Sequence, residues 1–140
     1  MMDRTGLEPV IQNRASAEIR EQYMSAENVI VHSSNIGIAQ LAQRLSASTY
    51  YQGLLDFGFT QPSGIDLTNE YLGTIPTMRQ LDSETYKASA SYGYAVRANL
   101  IQLIKAYNVF NNSGRMVTPR LTQEYIDETG RSIPLEQEET

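Results

Sequence analysis

Few side chains in this sequence can do chemistry, and their sparseness narrows the choices. Cysteine is absent, so there is no disulfide framework and no thiolate metal site. His32 is the one histidine, too few for the usual multi-histidine zinc site. No metal or cofactor is therefore expected. Directly after His32 runs Ser33-Ser34-Asn35, a hydroxyl and a carboxamide two positions apart. Alone, such a triplet says little, because Ser and Asn side chains commonly cap helices. His32 invites a general-base role, yet a lone histidine is more often structural or exposed. Asp66 and Glu70 suggest paired carboxylates for acid–base work, although loop carboxylates usually cap turns or face water. Tyr92 and Tyr94 can border a cleft, but tyrosine is as well suited to packing half-buried with its hydroxyl in water.

Composition sets the frame around these residues. The 140 residues make one ordinary domain's worth of chain, 41% hydrophobic and 19% charged, which is enough apolar material for a core. Eleven basic residues face 16 acidic ones, a net charge of −5. Wrapping nucleic acid requires Lys and Arg to displace condensed counterions, so an acidic chain argues against that class of partner. No apolar run approaches the roughly 20 residues that span a bilayer, and Met1-Met2-Asp3-Arg4 lacks the apolar stretch of a signal peptide.

The elements that must position the polar residues can be read from punctuation and period. Residues 1–24 form a leading loop, with a short helical stretch over 16–20. Ser25 caps a helix over 26–32, favoured by Glu27 in its first turn. Ser33-Ser34-Asn35 interrupts, since these side chains compete for backbone hydrogen bonds. Ile38, Leu41, Ala42 and Leu45 then recur at helical spacing over 36–45. Ser46 and Ser48 can cap a helix running through Tyr50, Leu54 and Phe57, which Gly58 ends. Pro62, Gly64, Gly73 and Pro76 mark an ordered loop over 60–76. A short helix follows over 83–89. The longest helix starts at its N-cap Asn99 and runs to Phe110, with Leu100, Leu103, Ile104 and Tyr107 as its core stripe. Alternation over 116–126 and the turn at 127–130 predict a hairpin closing on Ser132 and Ile133. The expected organisation is a leading loop (1–24), a helical lobe (25–114), a β-hairpin (115–135) and an acidic tail (136–140), mainly α.

Three stretches in order carry a family resemblance. The first is Val31-His32-Ser33-Ser34-Asn35-Ile36-Gly37. The second is Phe57-Gly58-Phe59-Thr60-Gln61-Pro62-Ser63-Gly64-Ile65-Asp66-Leu67, ending near Glu70. The third runs from Ala90-Ser91-Tyr92-Gly93-Tyr94 through Gln102-Leu103 and Ala106-Tyr107 to Gly114, Val117 and Pro119. Together they resemble the transpeptidase domain of class B penicillin-binding proteins over about residues 25–121. The sequence departs from the family at Ala95, where glycine is usual, and at Asn99-Leu100 in place of Thr-Pro. Losing that proline removes a preorganised helix start, but Asn99 still caps.

The resemblance implies the helical lobe of a penicillin-binding/serine β-lactamase-like domain whose parent is α+β. It implies that Ser33 relays a proton and that Asn35 hydrogen-bonds the substrate's peptide amide, with Tyr92 and Tyr94 as weaker substrate contacts. It gives no role to His32, Asp66 or Glu70. It implies a parent that attacks D-Ala-D-Ala stem peptides of peptidoglycan, forms an acyl-enzyme and is acylated by β-lactams, with one membrane anchor and an extracytoplasmic catalytic domain.

Two of the family's motifs are missing. Its nucleophile lies in Ser-x-x-Lys, where three residues is just under one helical turn, so the amine can take the serine's proton. The two lysines, Lys87 and Lys105, are preceded at that spacing by Glu84 and Gln102, and neither is followed by Thr-Gly. Arg4-Thr5-Gly6 stands on the wrong side of Ser-x-Asn, and Thr129-Gly130 reads as a turn. The expectation is an internal piece of the domain, holding no nucleophile and inactive alone. Exposure of the surface that would pack on a missing sheet predicts self-association. Two competing expectations are a non-catalytic module that binds peptidoglycan or a protein, and a relative of the serine β-lactamases. The Phe-Gly-Phe…Gly-Ile-Asp-Leu stretch argues against the latter.

Overall fold

A computed structural model describes residues 11–12 and 23–134. The order of elements is β1 (Ile11–Gln12), β2 (Tyr23–Met24), α1 (Ala26–Val31), α2 (Asn35–Ala42), α3 (Ala47–Asp56), α4 (Met78–Leu81), α5 (Glu84–Ser91), α6 (Leu100–Asn111), β3 (Glu124–Ile126) and β4 (Ser132–Pro134). The described chain is thus mostly helical with two short antiparallel ribbons, β1–β2 and β3–β4. It divides into two compact units, one from residues 11–12, 23–52 and 76–96, the other from 53–75 and 97–134. The segment 25–114 read as a single lobe is therefore shared between two units. The leading segment read as loop contains β1 and β2, paired Ile11 to Met24 and Gln12 to Tyr23. The short helix expected over 16–20, Arg4-Thr5-Gly6 and the acidic tail lie outside the described residues.

In the first unit, Ser25 caps α1, accepting from the Asn28 N–H at 3.1 Å. Val29 of α1 and Met24 of β2 are each 1% exposed, and Ile38 and Leu41 of α2 pack on them. Each such burial is worth about 1.5–3 kcal/mol. Leu45, which shares their helical spacing, is 43% exposed. Helix α4 has no counterpart in the periodicity, because four residues are too few to show a period. A capping box makes it: Thr77 Oγ1 accepts from the Gln80 N–H, and the Gln80 side chain accepts from the Thr77 N–H at 2.9 Å. Its Leu81 is fully buried. Helix α5, capped by Ser83, packs along α2.

In the second unit, α6 begins with another capping box, between Asn99 and Gln102. Its apolar stripe was expected in the core and is not there. Leu100, Leu103, Ile104 and Tyr107 are exposed, and the buried residues are Gln102 and Ala106 on the other face. The reason is electrostatic. The loop over 60–76 turns backbone carbonyls toward α6, and carbonyls partly withdrawn from water need donors. Only the Gln102 side supplies them: Gln102 Nε2 donates to the Gln61 and Leu72 carbonyls at 2.9 and 3.0 Å, and Lys105 Nζ to that of Ser63 at 3.0 Å. The same loop is tied to Arg97 by reciprocal backbone bonds, the Thr74 N–H donating to the Arg97 carbonyl at 2.9 Å and the Arg97 N–H to the Thr74 carbonyl at 2.8 Å. Gly73 allows that approach, at φ 76° and with the place of a Cβ only 2.0 Å from the Arg97 carbonyl oxygen.

The hairpin is shorter than expected. Only Glu124–Ile126 and Ser132–Pro134 pair, and residues 116–123 are not strand. Asp127 builds the turn, accepting from the Thr129 and Arg131 N–H groups at 2.9 Å each. Gly130 supplies the left-handed residue, φ 83°.

Candidate functional site

The junction between α1 and α2 is a tightly hydrogen-bonded turn in the first unit. At the end of α1 the Ser33 N–H returns to the Ile30 carbonyl at 3.0 Å, and the Ser34 N–H to that of Val29 at 2.9 Å. This pairing is a Schellman stop, whose outer residue must be left-handed and is usually glycine. Here Ser33 occupies it, at φ 51°. Ser34 at once begins the next helix, its Oγ accepting from the Gly37 N–H at 3.1 Å. Gly37 keeps α2 close to α1, since a Cβ there would lie 2.5 Å from a Val29 methyl carbon. The Ser34 hydroxyl is consumed in capping.

Ser33 and Asn35 flank that cap, and both line a cavity of about 250 Å³ together with Val29, Ile30, Ser34, Ile38, Ser91 and Tyr92. Both are exposed, and among the described residues neither side chain has a hydrogen-bond partner. The hydroxyl can donate and accept, and the carboxamide can do both at once. The arrangement can therefore hold a peptide group and pass a proton. Among the described residues that line it there is no lysine, histidine or carboxylate, so these residues assemble no nucleophile–base pair.

The other residues singled out from the sequence separate clearly. Tyr92, the C-cap of α5, lines the cavity. Tyr94 does not line it and is 76% exposed. His32 caps α1 and also lies outside the lining. Asp66 and Glu70 do not form a catalytic pair, because each holds backbone within the second unit. Asp66 accepts from the Leu121 and Thr122 N–H groups at 2.7 and 3.1 Å. The bond from Leu121, reinforced by Thr122, holds its carboxyl below the ordinary range. Glu70 accepts from the Ser63 N–H and from Asn99 Nδ2, both at 2.9 Å. Burial would raise its pKa, but those bonds and the charge of Lys105 outweigh it, and the net shift is downward. Sequence reasoning missed Ser91 and Ile38 as lining residues. Ser91 immediately precedes Tyr92, but its Oγ donates to the Ala88 carbonyl at 2.6 Å, so it presents little free capacity. Among the described residues, no group of three or more His, Cys, Asp or Glu side chains is placed to hold a metal ion. No described helix is long and apolar enough to cross a membrane.

Solved structures share this fold. Penicillin-binding protein 3 of Mycobacterium tuberculosis, solved in complex with ampicillin, superposes with a TM-score of 0.78 at 23% identity, over 94% of this chain and 31% of that one. A peptidoglycan synthetase from Bifidobacterium adolescentis gives 0.77 at 20% identity, over 95% and 26%. The fold is thus that of part of a penicillin-binding transpeptidase domain. Residues 8–140 match the family model of the penicillin binding protein transpeptidase domain, and the chain belongs to that family. Stage V sporulation protein D of Bacillus subtilis is 31% identical over 99 residues, which is 71% of this chain and 15% of that protein. Penicillin-binding protein PbpB of Mycobacterium tuberculosis is 32% identical over 98 residues, 70% of this chain and 14% of that protein. The chain spans about a seventh of the length of these curated relatives.

Proposed function

We propose that this chain serves as the Ser33–Asn35 lobe of a peptidoglycan D,D-transpeptidase, one wall of a site completed by other parts of a longer polypeptide. In the reaction, a serine supplied by those parts attacks the carbonyl joining the last two D-Ala residues of a stem peptide. Its proton passes to a lysine amine, the terminal D-Ala leaves with a proton on its nitrogen, and an acyl-enzyme ester remains. A neighbouring stem's amine then displaces the serine and forms the cross-link. β-Lactams imitate the first step and stop there. Ser33 relays the proton toward the leaving nitrogen, Asn35 hydrogen-bonds the substrate amide and holds its orientation, and Tyr92 borders the bound peptide. The polypeptide is membrane-anchored, with this domain outside the cytoplasm.

One observation carries the reading. Two unspent polar side chains two residues apart open onto the same cavity, while the 140 residues contain no Ser-x-x-Lys. The test is intact-mass spectrometry after incubation with a penicillin. The 140-residue chain is run beside a longer polypeptide that carries both Ser-x-x-Lys and Lys-Thr-Gly. Only the longer one is expected to gain the drug's mass. Stoichiometric acylation of the 140-residue chain, or none of the longer one, defeats the proposal. The exposed Leu100, Ile104, Tyr107 and Phe110 side chains favour self-association of the chain alone. Light scattering across a concentration series checks this, and a monomer throughout counts against it.

A further inference from the structure

Lys87 lies on α5 with only 8% of its surface exposed, and its Nζ donates to one acceptor, the Leu45 carbonyl, at 2.8 Å. Among the described residues it has no carboxylate partner. A buried ammonium with a single neutral acceptor is a poor way to stabilise a fold, and an apolar side chain of similar volume is often neutral or better. What the lysine does supply is a directional bond. Leu45 lies just beyond the C-terminal end of α2, and the same end is tied again to α5 by Gln43 Nε2, which donates to the Glu84 carbonyl at 2.7 Å. Gln43 meets the start of α5, whereas the other end of α5, at Ser91 and Tyr92, shares the cavity with Asn35 and Ile38 of α2. The two helices therefore run antiparallel. Their far ends are clamped by Lys87 and Gln43, and their near ends form two walls of the cavity. Apolar contact alone permits sliding and rotation of one helix along another, whereas two hydrogen bonds to specific carbonyls fix the axial register.

The geometry points to Lys87 as a positioning residue. It acts through α2 and α5 to set Asn35 and Ser33 against Tyr92, and Gln43 assists it. This rests on the transpeptidase reading above. A displacement of about 1 Å can cost about a hundredfold in rate, and a register relaxed by less than that is expected to slow acylation about tenfold.

The test uses the longer polypeptide that carries Ser-x-x-Lys. Penicillin acylation is followed under pre-steady-state conditions, so that reversible binding and the acylation rate constant are obtained separately, with thermal unfolding measured alongside. Lys87→Met is expected to leave the unfolding temperature unchanged or higher and the reversible binding constant little altered, while the acylation rate constant falls about tenfold. Lys87→Arg keeps a donor and should recover most of that loss. Gln43→Leu, at an exposed position, should give a smaller fall in the same constant, and it decides the matter if Lys87→Met does not fold. Wild-type acylation rates in folded Lys87→Met overturn the inference, as do wild-type rates in Gln43→Leu when Lys87→Met is unfolded. Failure of the wild-type polypeptide to acylate overturns the transpeptidase reading instead, so the two failures are distinct.

Discussion

Ser33 sits in a conformation that favours glycine, and this sets stability against function at one residue. An L-residue held left-handed costs about 1–2 kcal/mol relative to its preferred regions. Asn or Asp can offset part of that with a local side-chain hydrogen bond, but Ser33 Oγ makes none to the described residues. Ser33→Gly removes the strain and adds about 0.4–1 kcal/mol of unfolded-state entropy to be lost on folding. The balance predicts a gain of about 0.5–1 kcal/mol. Ser33→Ala keeps the strain and removes only the hydroxyl, so it should match wild type or fall slightly below it. The sharper quantity is the difference between the variants, in which the missing hydroxyl cancels: Gly above Ala by about 1 kcal/mol, or roughly 3 °C in midpoint for a chain of this size. Urea and thermal unfolding of the 140-residue chain and its two variants measure it. In the longer polypeptide both variants should be acylated far more slowly than wild type, since neither has a hydroxyl to relay the proton. The glycine variant would then be more stable and less active. A glycine variant no more stable than the alanine variant refutes the left-handed Schellman geometry. Wild-type acylation in Ser33→Gly refutes the proton-relay role.

Gln102→Leu should destabilise by about 3 kcal/mol, because it removes three part-buried hydrogen bonds at about 1 kcal/mol each, two given to the Gln61 and Leu72 carbonyls and one accepted from the Asn99 N–H. Equal unfolding midpoints for this variant and wild type would show that the amide does not organise the loop. The Asp66 carboxyl is depressed when folded, so the stability it contributes is present above its unfolded pKa and is lost as pH falls through the lower folded value. An NMR titration should show the Asp66 carboxyl and the Leu121 and Thr122 amides moving together below the ordinary carboxylate range. Movement at or above that range would contradict the bonds described.

Much of this protein can be read directly from its sequence. Ser25, Gly58 and Asn99 mark helix ends by local chemistry, since a cap depends on hydrogen bonds spanning only three or four residues. The family, too, is legible, because three ordered motifs survive in linear order whatever the packing. The same locality identifies Ser33-Ser34-Asn35 as a motif and shows that neither lysine has the spacing of a nucleophile–base pair. Tertiary structure alone decided the rest. The apolar stripe of α6 reads as core by period, yet its Gln102 face is buried, because the loop carbonyls that need donors come from residues 30 to 41 positions away in sequence. Similarly, Tyr92 and Tyr94 are indistinguishable as residues, but the end of α5 places the first on the cavity and leaves the second outside it. Lys87 has no visible role in the sequence, because its partner among the described residues, the Leu45 carbonyl, lies 42 residues away. Local chemistry determined where helices start and stop and which residues could react. Which faces are buried, and which of those residues meet, depended on long-range partners that no short window of sequence contains.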